Sequence, residues 1–107
     1  MTEPTKRIFA DRIEWRLNGE IHREDGPAME YADGFNAWYR HGKLHRVDGP
    51  AIEYANGTKV WYIHGEHHRE DGPAIEFANG EEWWYLDGIQ YTEEEWFIEV
   101  VKQWRQS

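Results

Sequence analysis

The chain has 107 residues, a formal charge of −9 from 21 acidic and 12 basic side chains, and no cysteine. One domain is expected at this length. The absence of thiols excludes disulfides and thiolate chemistry, and the acidic balance argues against direct binding to nucleic acid or to an anionic membrane surface.

Seven Trp, six Tyr and four Phe supply large apolar bodies for a core. No apolar run approaches the length of a membrane span, and the opening "MTEPTKR" lacks the apolar centre of a signal peptide. The expectation is a cytoplasmic protein with a flexible N-terminus over residues 1–7. The next stretch, "IFADRIEW" at residues 8–15, reads as a worn half-repeat, because the chain is periodic from Trp15 onward. Trp15, Trp38, Trp61 and Trp84 recur every 23 residues, as do Gly19, Gly42, Gly65 and Gly88. His22, His45 and His68 keep the same spacing, and so do Gly34, Gly57 and Gly80. A fixed period of this length marks a stacked repeat. The units fall near residues 15–37, 38–60 and 61–83, with a partial unit at 84–91, inside a repeat domain spanning 8–91.

Within each unit, "AIEY" and "KVWYI" carry the aromatic and β-branched residues of short strands. Asn56-Gly57 lies between them, with Asp33-Gly34 and Asn79-Gly80 as counterparts. These pairs suit a two-residue type I′ hairpin, whose central residues both need positive φ. With that turn, Ile52 faces Trp61 and Tyr54 faces Lys59, so Ile52, Tyr54 and Trp61 form the core face. Met29, Tyr31 and Trp38 repeat the arrangement, as do Ile75, Phe77 and Trp84. Glu53, Val60 and Tyr62 then lie on the opposite face. Gly42 and Gly65 mark a second turn. The unit closes on "HREDGPA" (residues 22–28 and 68–74) or "HRVDGPA" (residues 45–51), in which Pro, unable to donate to a ladder, belongs at a strand start or an edge.

The last segment changes character. In "TEEEWFIEVVKQWRQ", Trp96, Val100 and Trp104 fall at i, i+4 and i+8, with Phe97 and Val101 widening the stripe. Thr92 and Glu95 form a capping box, and the acidic start and basic end suit the helix dipole. A helix over residues 92–106 is expected to cap the array. The fold class is therefore an all-β antiparallel meander of three to four hairpin repeats with a C-terminal capping α-helix.

The 23-residue period, the W-Y-x-x-G step and the "G-x-x-H-R-x-D-G-P-A-x-E-Y-A-N-G" run resemble MORN-type repeats, and also the glycine- and tyrosine-patterned repeats of bacterial antitoxin-like proteins. The H-R-x-D-G-P-A variant is similar to repeats in small phage and giant-virus proteins, often followed by a short "T-E-E-E" helix. The usual MORN unit has a second glycine where this chain has Arg-x-Asp. The resemblance implies a hairpin meander and a scaffold or protein-binding role. It also implies a phage-type protein that binds or inhibits a host or defence protein in the host cytoplasm.

The heptapeptide carries a His, an Arg and an Asp, which could serve as base, clamp and orienting carboxylate. However, the trio recurs in every unit, whereas an enzyme normally has one asymmetric site. The only serine is Ser107, so no enzyme is expected. His22, His45 and His68 lie too far apart to share one metal ion, since equivalent strands of a hairpin repeat are roughly 9–10 Å apart. No metal or cofactor is expected. The structural reading makes Asp25, Asp48 and Asp71 turn fixers that accept backbone N–H bonds. Arg23, Arg46 and Arg69 pair with those aspartates or with Glu30, Glu53 and Glu76, and each His stacks on a ring and caps a carbonyl. Function then falls to a row of Tyr39, Tyr62 and Tyr85 beside Glu30, Glu53 and Glu76, suited to a protein partner. An open sheet edge offers a route to homo-oligomers. The alternatives are a sponge for a small anionic, nucleotide-like ligand held by His22, Arg23, His45, Arg46, His68 and Arg69, an acidic nucleic-acid mimic, and, last, a His/Asp hydrolase.

Overall fold

The computed structural model describes residues 3–106. It is an antiparallel meander of hairpins closed by one C-terminal helix. The strands are, in chain order, β1 (Thr5–Ile8), β2 (Arg12–Leu17), β3 (Glu20–Ile21), β4 (Met29–Tyr31), β5 (Asn36–Ala37), β6 (Tyr39–Arg40) and β7 (Lys43–Leu44). They continue as β8 (Ile52–Glu53), β9 (Lys59–Val60), β10 (Tyr62–Ile63), β11 (Glu66–His67), β12 (Ile75–Glu76), β13 (Glu82–Leu86) and β14 (Ile89–Tyr91), before α1 (Glu93–Gln106). The main sheet runs β1-β2-β4-β5-β8-β9-β12-β13-β14, with β3 paired to β2. The hairpins β6–β7 and β10–β11 stand as separate two-stranded pieces. The chain leaves the main ladder at Trp38 and Trp61, where strand assignment breaks for one residue.

Both turns of the unit are hairpins, but the type I′ geometry sits at the second one. Asn18-Gly19, His41-Gly42, His64-Gly65 and Asp87-Gly88 each have positive φ at both residues, and Ile63 pairs with Glu66 across a two-residue loop. At Asn56-Gly57 only the glycine has positive φ, 95°. Tyr54 N–H donates to Thr58 O, Gly57 N–H donates to Tyr54 O, and the Asn56 side chain accepts from Thr58 N–H. This is a three-residue loop, a type I turn followed by a left-handed glycine. Asp33-Gly34 and Asn79-Gly80 repeat it.

One extra loop residue moves the register by one. Ile52 faces Val60, not Trp61, and Lys59 faces Glu53, not Tyr54 as the two-residue turn requires. Consequently the two faces differ from the sequence expectation. Successive cross-strand partners form one row: Glu14, Met29, Ala37, Ile52, Val60, Ile75 and Trp83. Ala37, Ile52, Val60 and Ile75 are its buried centre, and Met29, Phe35, Tyr39, Leu44, Tyr62, Phe77 and Tyr85 pack against them. Tyr39, Tyr62 and Tyr85 thus belong to the core side, while Trp15, Trp38 and Trp61 serve the other face. Residues 5–7, expected to be flexible, lie in β1, paired with β2; residues 1 and 2 lie outside the described residues.

The capping box forms as the sequence implies: Glu95 N–H donates to Thr92 Oγ1, and Thr92 N–H donates to Glu95 Oε1. Trp96 and Val100 are buried with Leu86, and Trp84 and Tyr91 pack around them. The Trp96 indole lies 4.7 Å from the Trp84 ring and donates to Arg69 O. The expected stripe is narrower than the pattern, since Trp104 is 62% and Phe97 58% exposed. Among the described residues no helix is long and apolar enough to cross a membrane.

Trp96→Ala should therefore cost about 3–5 kcal/mol of unfolding free energy in urea titration, and Trp104→Ala under about 1 kcal/mol, as for other exposed positions. Equal losses would contradict this division of the helix faces.

Candidate functional site

The heptapeptide builds the same joint three times. In the second unit the Arg46 guanidinium lies 3.9 Å from the Trp38 ring centroid. It donates through Nε to Asp48 Oδ1 and through Nη1 to Pro50 O. Glu53 Oε2 lies 3.6 Å from Nη1. Gly49 closes the other side: a Cβ there would fall 2.8 Å from the guanidinium carbon. The cation is thus held between an indole and a glycine backbone, with acceptors at its rim. Arg23 repeats this with Trp15, Asp25, Pro27 O and Glu30. Arg69 does so with Trp61, Asp71, Pro73 O and Glu76.

Asp25, Asp48 and Asp71 take a different role from the one expected. Each is about 86–87% exposed and accepts from an arginine Nε; none accepts a backbone N–H among the described residues. The bends they flank are held by the arginine that reaches Pro O. Glu30, Glu53 and Glu76 meet the arginines, and so lie across the sheet from the tyrosines rather than beside them.

The histidines link one unit to the next. His22 Nδ1 accepts the N–H of His41, His45 Nδ1 that of His64, and His68 Nδ1 that of Asp87. Each accepted N–H belongs to the first residue of a type I′ turn, a residue with φ near 50°. The following glycine N–H is taken by the preceding unit's backbone, as with Gly65 and Leu44 O. An accepting Nδ1 leaves the proton of the neutral ring on Nε2. That N–H reaches Glu24 Oε2 at 3.1 Å from His22 and Glu70 Oε2 at 2.9 Å from His68. The expected carbonyl cap does not form among the described residues: Nδ1 accepts, and Nε2, where it has a partner, meets a carboxylate. The expected ring contact is present between His22 and His41 and between His45 and His64. Burial first, then the charge interactions with His64 and Arg40, lowers the His45 pKa below 6.5.

Between the joints lie open grooves. One, about 960 Å³, runs between the second and third joints and includes His45, Val47, Ile63, Arg69 and Trp104. The next, about 550 Å³, lies between the first and second joints and includes Arg23, Trp38, Arg40, His45 and Val47. On the core side, Tyr39, Tyr62 and Tyr85 are half-buried. Burial raises the pKa of Tyr39 and Tyr62, and the neighbouring tyrosines, Tyr54 among them, raise both further. The His67 ring sits between those of Tyr62 and Tyr85, 4.3 and 4.7 Å away, and its pKa is lowered by burial. Sequence reasoning missed His67, which resembled an extra histidine beside the motif; its place opposite Tyr62 across a type I′ turn becomes visible only with the correct turn.

No family model, curated protein or solved structure matches the chain.

Gly49→Ala should displace Arg46 from Trp38 and, like Arg46→Lys, cost about 1–2 kcal/mol, the scale of a desolvated cation–π contact with its charged hydrogen bonds. Because both changes remove one stack, the double variant should cost clearly less than the two single losses added together, measured by denaturant unfolding. Strict additivity would dissolve the joint into independent contacts.

His45 and His67 predict a pH effect. Their folded pKa values lie below the unfolded 6.5, so the unfolded chain takes up these protons first. Their contribution is complete above about pH 6.5 and is lost as pH falls toward the folded values. Melting temperature should decline through this window, less steeply in His67→Phe.

Proposed function

We propose that the chain is a non-enzymatic binding module that engages a protein partner through the tyrosine-lined side of its core. The observation that carries this reading is the state of the phenols. Tyr39, Tyr62 and Tyr85 are half-buried, yet their hydroxyls have no hydrogen-bond partner among the described residues and are not sealed from solvent. A rigid aromatic body with a free polar tip is the side chain that interfaces favour, because it gives area and a directed bond at low entropic cost. The proposed set is Tyr39, Tyr62 and Tyr85 with Tyr54 and His67, without the glutamates, which are engaged by arginines on the other face. The resemblance to repeats of small phage and giant-virus proteins makes a host or defence protein the expected partner, and the −9 charge favours a basic one.

A nucleotide sponge built on Arg23, Arg46 and Arg69 has less support. Each guanidinium is stacked, bonded and within 3.6 Å of two carboxylates, so its charge is already answered.

The test is affinity capture from host lysate, quantified by mass spectrometry, with a parallel nucleotide screen. Tyr62→Ala should weaken the captured partner about thirtyfold, the equivalent of a 2 kcal/mol hot spot. Tyr62→Phe, which keeps the packed ring, should weaken it less, while Val101→Ala leaves it unchanged. Full binding by both Tyr62 variants, or a nucleotide ligand lost in Arg46→Ala, would remove the proposal.

A further inference from the structure

The three joints are internal comparisons of one another, and the second departs from the other two at two positions that line one groove with its histidine. In the first and third joints the His Nε2–H meets a carboxylate two residues on, Glu24 or Glu70. In the second that position is Val47, whose side chain is 75% exposed. His45 itself is only 7% exposed. Its Nδ1 is committed to His64 N–H, and its Nε2 has no partner among the described residues. The second departure is Arg40. The residues 23 positions before and after it are Leu17 and Ile63, so this unit alone of the three places a cation there. Arg40 has no ion-pair partner among the described residues, and its charge acts on His45.

Losing the internal acid and gaining a base leaves, among the described residues, a donor without a partner that reaches solvent from a buried ring, and a cation with no counter-group. His45 and Val47 line both large grooves, Arg40 lines the smaller, and Trp104, 62% exposed, lines the larger. We propose that the crest between these grooves is a binding site for a carboxylate supplied from outside the chain, carried on an apolar or aromatic body. The carboxylate takes the position that Glu24 and Glu70 occupy at the sister joints, accepting from His45 Nε2–H and facing Arg40. The apolar body covers Val47 and reaches toward Ile63 and Trp104. Charge-assisted bonds to that donor supply orientation, and the exposed apolar side chains supply area. This site lies at the joints, apart from the tyrosine-lined side, and stands or falls independently of the protein-binding proposal.

The sister joints also supply the test. Val47→Glu and Arg40→Leu install the residue types found there, so both variants should fold. Val47→Glu builds in the missing acid and should raise the melting temperature while blocking the site. Indole-3-acetate, its uncharged amide, and an end-blocked peptide with one aspartate between two leucines would be titrated against the ¹⁵N-labelled protein, following the His45 ring nitrogens. The expected result is a saturable shift at His45 with indole-3-acetate and none with the amide. The affinity should fall severalfold in Arg40→Leu, and saturable binding should be absent in Val47→Glu. Tighter binding of the peptide would assign the carboxylate to a protein side chain, and tighter binding of the free acid to a small molecule. Undiminished binding in Val47→Glu, equal binding of the amide, equal shifts at His22 and His68, or no shift with either acid would overturn the proposal.

Discussion

The array depends on a guanidinium placed between an indole face and a glycine backbone. Most letters of the heptapeptide follow from that one placement. The tryptophan, eight residues before the arginine, supplies the π face. The glycine, three residues after it, leaves the room that a Cβ would take. The aspartate holds Nε, and the proline offers a carbonyl without adding a donor that would need its own partner. The glutamate of the next strand accepts at the rim. A flat, permanently charged group with donors in its plane suits this slot; an ammonium has neither the shape nor the fork. The energy of each joint is modest, so the repetition matters: stability in a stacked array accumulates over neighbouring contacts.

The histidine adds the step from one unit to the next. A type I′ turn needs two left-handed residues, and His41, His64 and Asp87 carry a steric penalty that glycine would not. The preceding histidine accepts the very N–H that this conformation presents, so a locally unfavourable turn is stabilised by its neighbour. Turn and staple are 19 residues apart in sequence, and neither is self-sufficient. The grooves are the spaces left between consecutive joints, which explains why they recur with the period.

The period, the hairpins, the Arg–Asp pairing and the capping box were legible because each rests on local chemistry: spacing, turn residues and charge. The faces were not. Asn-Gly satisfies a two-residue type I′ loop and also a type I turn ending in a left-handed glycine, and local propensity does not separate them. Choosing the former aligned Ile52 with Trp61, an attractive pair of large apolar groups, and exchanged every face beyond it. A signal was present in the motif: an arginine held by carboxylates can stack on a flat ring, and a tryptophan stands eight residues before every such arginine. Placing Trp38 and Trp61 under the arginines would have put Val60 and Tyr62 on the core side. The exposure of Trp104 was illegible for another reason. Helical periodicity describes the face a helix offers, while the length of that face that is covered depends on how far the array extends beneath it.

The two ends of the described array differ. The row runs from Arg7 on the edge strand β1 through Glu14, Met29, Ala37, Ile52, Val60 and Ile75 to Trp83. Glu14 stands 23 residues before Ala37, where later units have Ala, Val and Trp. It is 5% exposed, and Arg12 Nε and Arg16 Nε reach it at 2.7 and 3.1 Å. Those bonds, Arg12's foremost, lower its pKa despite burial, so the row is charged at Arg7 and Glu14 ahead of its apolar stretch. At the far end, Trp84 has no arginine to receive, because the position 23 residues after Arg69 is Thr92, the start of the helix cap. Trp96 from that helix packs on Trp84 instead and ties its indole N–H to Arg69 O. An aromatic side chain thus stands where the next guanidinium would be, and the motif stops because its substitute is carried by a helix. A charged start and a helix thus flank the apolar row, and the period of the motif is broken at the helix by a residue that serves the same tryptophan face.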